Sequence, residues 1–138
     1  MPRKNARPEA AALVEVLMAL RSHSLVAWAE RQNTGAIKVG ERFVRFGWRG
    51  CSDVLGQLKD GRLLACEVKA RRGSLRPEQG HFLDRVRQFG GVGIVARNAA
   101  DVLTALGAIA GSRTGVYSPI AIRRVRGPNS ESARGFQR

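Results

Sequence analysis

The sequence predicts an α/β protein in which helices pack on a mixed β-sheet, in the order α-β-β-β-α-β-α. Apolar residues recur at helical spacing near the N-terminus and again in two later segments. Short apolar runs of strand length lie between these segments, and two of the runs are joined by an Asp-Gly turn. With 138 residues, the chain is long enough for one domain with a substantial core.

The first predicted helix begins at Pro8, because proline suits the first helical position. An apolar stripe follows at helical spacing: Leu13, Val16, Leu17 and Leu20. Glu9 stands four residues before Leu13 and is therefore expected on the same, buried-facing side. A carboxylate there either interacts favourably with the helix dipole in the first turn or faces a polar site.

Residues 25–29 form a short strand candidate, and residues 33–35 form a predicted turn. Residues 43–46 are predicted to be a strand, which ends before Gly47 and Gly50. The clearest local signal is a pair of apolar runs, residues 53–58 and 62–69, on either side of an Asp-Gly turn. This pattern predicts a β-hairpin.

The position of Asp53 depends on the length of that turn. A three-residue loop at 59–61 sets Asp53 directly opposite Glu67, whereas a two-residue turn at 60–61 sets it against Val68. Both turns are common. We take the first register.

After the hairpin, Pro77 begins a second helix that Gly90 and Gly91 end. Residues 92–95 are predicted to be a short buried strand that joins the sheet by a crossover connection. Asn98 is a suitable N-cap for a last helix, which stops at Gly111. The predicted organisation is a basic arm at 1–7, a folded domain at 8–110, and a basic, partly flexible extension at 111–138.

The charge of the chain favours a polyanionic partner. Twenty-four Lys and Arg residues against eleven Asp and Glu residues give a formal net charge of +13. A field of that size attracts nucleic acid or an acidic membrane surface. No apolar run approaches the roughly 18 residues of a membrane span. The spacing of the two cysteines fits neither a metal site nor a disulfide framework, so we expect a cytoplasmic protein, bacterial or phage-encoded.

Three side chains of the hairpin carry the predicted chemistry. Glu67 and Lys69 stand two apart on a strand and therefore point to one face, where the chosen register also places Asp53. Two carboxylates about 4 Å apart repel each other by roughly 4 kcal/mol at an effective dielectric constant near 20. A shared proton, the ammonium of Lys69 or a divalent cation would offset this repulsion. Oxygen ligands without His or Cys select Mg²⁺ or Mn²⁺.

Gln79 adds a further polar group. It lies on the apolar side of the second helix, three residues before Phe82, where an unpaired amide would be costly. It therefore either faces a polar pocket or bonds to backbone.

The combination of these motifs resembles the VRR-NUC (virus-type replication-repair nuclease) domain of the PD-(D/E)XK nuclease superfamily. The resemblance covers roughly residues 8–107. Five features carry it by their order and spacing: Glu9, Asn33-Thr34-Gly35, Gly50-Cys51-Ser52-Asp53, Glu67-Val68-Lys69 and Pro77-Glu78-Gln79. Trp48-Arg49 and Arg76 depart from the family pattern, which puts the preferred substrate in doubt.

The resemblance implies a restriction-endonuclease-like αβββαβ core. Asp53, Glu67 and the carbonyl of Val68 would hold Mg²⁺ or Mn²⁺, and Glu9 would complete or support that site. Lys69 would be the catalytic lysine and Gln79 the supporting polar residue of the helix. The predicted catalytic residues are thus Asp53, Glu67, Lys69 and Gln79. Stand-alone members resemble homodimers that cut branched DNA.

The sequence therefore predicts a metal-dependent DNA endonuclease, acting as a homodimer on Holliday junctions or other branched DNA in replication, repair or recombination. The candidates for DNA contact are Arg45, Arg49, Arg71 and Arg72. A non-catalytic basic nucleic-acid-binding module that retains the fold is the alternative. A protein that lies on a membrane surface through residues 9–20 is a weaker third reading.

Overall fold

The computed structural model describes residues 7–111, which form three helices and six strands. In chain order these are α1 (Arg7–Ser22), β1 (Val26–Arg31), β2 (Gly35–Val39), β3 (Arg42–Phe46), β4 (Val54–Leu58), β5 (Leu63–Val68), α2 (Pro77–Gln88), β6 (Val92–Ala96) and α3 (Ala99–Gly111). The predicted basic arm, apart from Arg7, and the C-terminal extension after Gly111 lie outside the described residues. No helix within residues 7–111 is long and apolar enough to cross a membrane.

Four strands form a mixed central sheet in the order β1-β4-β5-β6. β4 pairs antiparallel with both β1 and β5, whereas β6 pairs parallel with β5. A parallel neighbour requires a crossover, which α2 provides between β5 and β6. The predicted mixed sheet and the crossover strand after the second helix are both confirmed, with β6 at the edge of the sheet.

The two faces of the sheet bury different residues, because side chains alternate along each strand. One face packs against α1 and α3 and holds the larger apolar cluster, which includes Val16, Leu20, Val54, Leu58, Leu64, Cys66, Val68, Ile94, Val102 and Leu106. The other face packs against α2 through Phe82, Leu83 and Val86. Ala65 lies on this second face, and so do Glu67 and Lys69 by alternation.

The β4–β5 turn is the three-residue loop that the sequence predicts. Gly61 has φ 95°, a left-handed conformation that glycine adopts without a side-chain clash. The N–H of Leu58 donates to the carbonyl of Arg62 at 2.9 Å, and Val54 pairs with Cys66 at the far end. The same register places Asp53 opposite Glu67, so this prediction is confirmed.

A separate hairpin interrupts the predicted order. Five strands precede α2, and β2 and β3 pair only with each other in a two-stranded sheet. The predicted order counts three strands there, although four segments before the second helix were strand candidates, among them residues 43–46, which form β3. The sequence reading missed β2 because both faces of this hairpin are exposed. Alternation therefore does not separate a buried face from a solvent face there.

The helix ends follow local chemistry. Asn98 caps α3 as predicted, because its Oδ1 accepts the N–H of Asp101 at 2.9 Å. Glu15 of α1 accepts the N–H of Ala99 at 3.0 Å, a second cap that ties α1 to α3. The buried side of α1 begins only at Ala12, and Glu9 is exposed. The prediction that Glu9 faces the core is therefore wrong, and its first-turn position fits the helix dipole instead.

Candidate metal centre

The candidate site lies where β4 begins and β5 ends, beside the first turn of α2. Asp53 immediately precedes β4, Glu67 is the next-to-last residue of β5, and Lys69 directly follows that strand. Gln79 is the third residue of α2. Two antiparallel strands and a crossover helix thus bring together four residues from three segments of the chain.

Asp53 and Glu67 approach each other because of their place in the ladder. The bonded pairs of this hairpin include Leu58 with Arg62, so the alternating non-bonded positions fall at Asp53 and Glu67. Side chains at such positions are the closer ones, with Cβ atoms roughly 4.5 to 5.5 Å apart in general. The two carboxyl groups therefore share one small region of the sheet face.

Val68 links the two strands at this point. Its N–H donates to Oδ2 of Asp53 at 2.8 Å. In a strand, the N–H and C=O of one residue point toward the same neighbouring strand, so the Val68 carbonyl also points to the β4 side. The N–H of Lys69 donates to Ala96 of β6 at 3.1 Å, as alternation requires. The carbonyl of Val68 is thus directed to the side on which Asp53 lies.

Glu67 is the most constrained member of the site. Only 1% of it is exposed. Its Oε1 lies 2.9 Å from Nζ of Lys69 and also accepts a hydrogen bond from Nε2 of Gln79. Its Oε2 is buried and has no hydrogen-bond partner. Oε1 therefore has two donors, whereas Oε2 has none.

Burial raises the pKa of Glu67, since a carboxylate loses its hydration there. Lys69 acts in the opposite direction through a hydrogen bond and its charge, while the neighbouring charge of Asp53 raises the pKa further. A proton or a cation near Oε2 would remove this cost. The electrostatics of the site thus favour an added positive charge between the two acidic groups.

Gln79 serves both the helix and the site. Its Oε1 accepts the N–H of Arg76 at 2.9 Å, which satisfies one of the free N–H groups at the start of α2. Its Nε2 donates to Glu67. The two expectations for this side chain, a polar pocket and a backbone partner, therefore both hold. Arg76 is the N-cap residue of α2, and its backbone N–H donates to the side chain of Gln79.

The donor set fits a hard divalent cation. The orphaned Oε2 of Glu67, the carboxylate of Asp53 and the carbonyl of Val68 are all oxygen donors, as Mg²⁺ and Mn²⁺ prefer. Within residues 7–111, no three His, Cys, Asp or Glu side chains come together to hold a metal. The structure therefore does not bring Glu9 to this pair, and the prediction that Glu9 is a metal ligand is not supported.

All four arginines predicted to contact DNA are exposed. Arg49 lies in the turn before Cys51, and Arg71 and Arg72 lie in the turn after Lys69. These three lie close in sequence to the acidic pair. Arg45 is on β3, in the separate hairpin.

Two residues before Asp53 shape this site through contacts that the sequence reading did not predict. Gly50 has φ 79°, and a Cβ there would stand 3.1 Å from the carbonyl of Glu78, so glycine lets the loop before Asp53 lie against α2. Trp48 packs edge-on against Phe82, with ring centroids 5.1 Å apart. The signal for Gly50 was its position within a glycine-rich turn, but no pattern identified the contact of Trp48.

Arg97 holds the segment between β5 and α2. Its Nη2 donates to the carbonyl of Gly73 at 2.9 Å, and its N–H donates to Asp101 at 2.8 Å. The segment from Ala70 to Arg76 carries Arg71 and Arg72 and leads to Gln79. Arg97 therefore fixes one point of the connection between Lys69 and Gln79.

Comparisons of the chain with protein-family models, with curated proteins and with solved structures find no match. The functional interpretation therefore depends on the geometry of the site itself.

Proposed function

We propose that this protein is a Mg²⁺- or Mn²⁺-dependent nuclease that hydrolyses phosphodiester bonds of DNA. The observation that carries the proposal is the state of Glu67: Oε1 is held by Lys69 and Gln79, and the buried Oε2 has no partner beside Asp53. If Glu67 served only a structural ion pair, Lys69 alone would be a sufficient partner for its carboxylate. An oxygen left without a donor in a buried, acidic position is the arrangement that a cation completes.

Each residue of the site would have a separate role in metal binding or hydrolysis. Asp53, Glu67 and the Val68 carbonyl would hold the ion, which when bound lowers the pKa of a water molecule and polarises a phosphoryl oxygen. The ammonium of Lys69 would orient the attacking water or stabilise charge that develops on the phosphate. Gln79 would keep Glu67 turned so that Oε2 is presented to the ion.

The element order supports the family resemblance. Without the β2–β3 hairpin, the chain runs α1-β1-β4-β5-α2-β6, which is the αβββαβ order of a restriction-endonuclease-like core. Asp53 lies directly before β4, and Glu67 and Lys69 lie at the end of β5, which agrees with the order of motifs in the VRR-NUC resemblance. We therefore propose that the chain is a member of this nuclease superfamily.

We further propose that the substrate is branched or duplex DNA and that two copies act together. Residues 7–111 contain one such site, whereas cutting both strands of a symmetric junction requires two sites related by a two-fold axis. The net charge of +13 suits the density of phosphates at a junction. These elements of the proposal rest on the nuclease assignment.

The direct test is incubation of the purified protein with labelled junction, flap, duplex and single-stranded DNA in Mg²⁺, Mn²⁺ or EDTA. We expect cleavage of at least one substrate that needs the metal and is lost in Asp53→Asn. Asp84→Asn is the matched control, because Asp84 is an exposed carboxylate on α2. Cleavage that persists in EDTA, or that survives in Asp53→Asn, would contradict the proposal.

A non-catalytic nucleic-acid-binding module is the second candidate. The exposed Arg49, Arg71 and Arg72, which lie close in sequence to the acidic pair, favour it, since they suit phosphate contacts without any chemistry. That function predicts salt-sensitive binding with no metal requirement. Under it, no substrate in the panel is cut with any metal.

A further inference from the structure

The β2–β3 hairpin lies outside the central sheet. The chain leaves the sheet after β1 to form the hairpin and returns to it before β4, at the end of the sheet where the acidic pair lies. Arg31, the last residue of β1, pairs with Val54, and the N–H of Gln32 donates to the carbonyl of Asp53 at 2.7 Å. The hairpin begins three residues later. On its return, only residues 47–52 separate β3 from Asp53. The hairpin is therefore attached on both sides to the candidate site.

The two faces of this hairpin differ in character. Ala36 pairs with Arg45 and Lys38 pairs with Phe43, and directly paired residues share a face. One face therefore presents two cations around an aromatic ring. The other face carries apolar side chains and an arginine at the tip: Ile37, Val39, Arg42, Val44 and Phe46.

The side chains that define the basic face are all exposed. Lys38 and Arg45 are exposed, and 74% of Phe43 is exposed. Residues 31–49 contain five Lys or Arg and only one acidic residue, Glu41. An exposed aromatic ring in such a setting is poorly hydrated, while the flanking cations attract phosphates.

We propose that the Lys38–Phe43–Arg45 face holds DNA beside the cleavage site, with the two cations on backbone phosphates and Phe43 stacked on an unpaired base. The chemistry is that of single-strand binding, in which cations follow the backbone and aromatic rings accept the faces of bases. Each strand has five residues, so the hairpin extends roughly 15 Å at about 3.3 Å per residue. This reach corresponds to four or five nucleotides from the site, at about 3.4 Å each.

This inference rests on the proposed function, because the DNA it describes is the substrate of the acidic site. It adds a source of specificity. Phe43 needs a base that is not stacked in a continuous duplex, so the face selects DNA with unpaired bases at a branch or end.

The test measures DNA affinity in EDTA, where no metal-dependent cleavage takes place, by fluorescence anisotropy of a splayed-arm DNA and of a continuous duplex. Phe43→Ala is compared with Phe89→Ala, whose ring is 81% exposed at the opposite end of α2 from Gln79. We expect Phe43→Ala to weaken splayed-arm binding by about ten-fold. Binding of the duplex should change by less than about two-fold, and Phe89→Ala should leave both unchanged.

The cations are tested through the salt dependence of binding. The variant Lys38→Ala/Arg45→Ala should reduce the slope of log affinity against log salt by roughly 1.5, since each phosphate contact contributes about 0.7 to 0.9. Lys59→Ala is the matched control, because it removes an exposed cation at the β4–β5 turn, the other end of the sheet. Its slope should match that of the unaltered protein.

The outcomes separate this inference from the proposed function. A protein that cuts DNA normally, while the Phe43 and Lys38/Arg45 variants bind like their controls, overturns the inference and leaves the nuclease proposal standing. A protein whose splayed-arm binding depends on this face, but which cuts nothing, shows that the face binds DNA and removes both the nuclease proposal and the claim that this DNA is a substrate. If Phe43→Ala changes only the sedimentation coefficient, the face contacts a second copy and the inference is wrong.

Discussion

The side-chain amide of Gln79 donates to the same Glu67 oxygen that the ammonium of Lys69 approaches at 2.9 Å. Two donors on one oxygen fix the orientation of the carboxylate. The second oxygen, Oε2, is consequently turned away from both donors and is buried without a partner. A cation or a proton shared with Asp53 would satisfy this second oxygen, and the predictions below depend on this asymmetry of Glu67.

Removal of the Gln79 amide should loosen Glu67. We expect Gln79→Ala to reduce metal-dependent cleavage by about 10- to 100-fold, the usual effect of losing a group that orients a metal ligand. It should also lower stability by roughly 1 kcal/mol, since the cap of Arg76 is lost. Cleavage assays and thermal unfolding measure the two effects separately.

Gln79→Glu separates these roles of the side chain. A glutamate at this position still accepts the N–H of Arg76, so the cap survives. It sets a second carboxylate against Glu67, however, in place of a donor. We expect cleavage as low as in Gln79→Ala. Activity close to that of the unaltered protein would show that only the cap matters.

Asp53→Asn should stabilise the metal-free protein. The asparagine oxygen still accepts the N–H of Val68, while its amide nitrogen gains a partner in the orphaned Oε2 of Glu67. Relief of charge repulsion and one new hydrogen bond are together worth roughly 1 to 3 kcal/mol. Thermal unfolding in EDTA should show a Tm several degrees higher. An unchanged or lower Tm, with Asp84→Asn as reference, would argue against close approach of Asp53 to Glu67.

Lys69 should matter for stability as well as for chemistry. It is 8% exposed and pairs with a nearly buried carboxylate, so Lys69→Met leaves the charge of Glu67 without its cation. Breaking such a pair costs about 3 kcal/mol. The double variant Glu67→Gln/Lys69→Met should recover most of this loss, because no unpaired charge remains. Chemical denaturation of the single and double variants gives both free energies of unfolding.

The two thiols should be inert in the folded protein. Burial raises the pKa of Cys66 from 9.0 to about 12, and burial also raises the pKa of Cys51. Because the folded pKa of Cys66 lies above its unfolded value, stability should fall as pH rises from about 9 toward 12. Iodoacetamide at pH 8 should label both cysteines only after unfolding in guanidinium chloride. Rapid labelling of Cys66 in the native protein would contradict the burial.

Much of the central sheet was predictable because its local signals agree with its tertiary packing. The Asp60-Gly61 turn predicted the β4–β5 hairpin and left two registers open, of which the structure has the three-residue loop with Gly61 in the left-handed conformation. Pro77 marked the first residue of α2, and Asn98 capped α3. Each of these features depends on neighbours in sequence, so the sequence alone contains it.

Residues 43–46 were predicted as a strand and lie in β3, but β2, its pairing with β3 and the position of Glu9 could not be predicted in the same way. The hairpin has no buried face, and its Ile37-Lys38-Val39 alternation is shorter than the roughly four to eight residues that indicate a strand. Glu9 follows the helical period of the α1 stripe, but the buried contacts of that helix begin one turn later, at Ala12. Periodicity gives the direction of a side chain but not the extent of the surface it meets.

At the candidate site, the sequence identified Asp53, Glu67, Lys69 and Gln79 through strand alternation and helix position. It did not reveal that Gln79 and Lys69 share one oxygen of Glu67, nor that Arg97 holds the preceding segment at Gly73. Those contacts depend on how the crossover helix sits on the sheet. Local pattern therefore predicted which residues meet, and tertiary packing decided which atoms bond.

Direct titration of Mn²⁺ into the metal-free protein, followed by electron paramagnetic resonance of the free ion, tests the central claim. If Asp53 and the free oxygen of Glu67 form a cation site, the unaltered chain and Asp84→Asn should each take up one ion. Asp53→Asn should take up none at the same concentrations. Equal uptake by Asp53→Asn, or no uptake by any of the three, would show that this acidic pair does not bind a divalent metal.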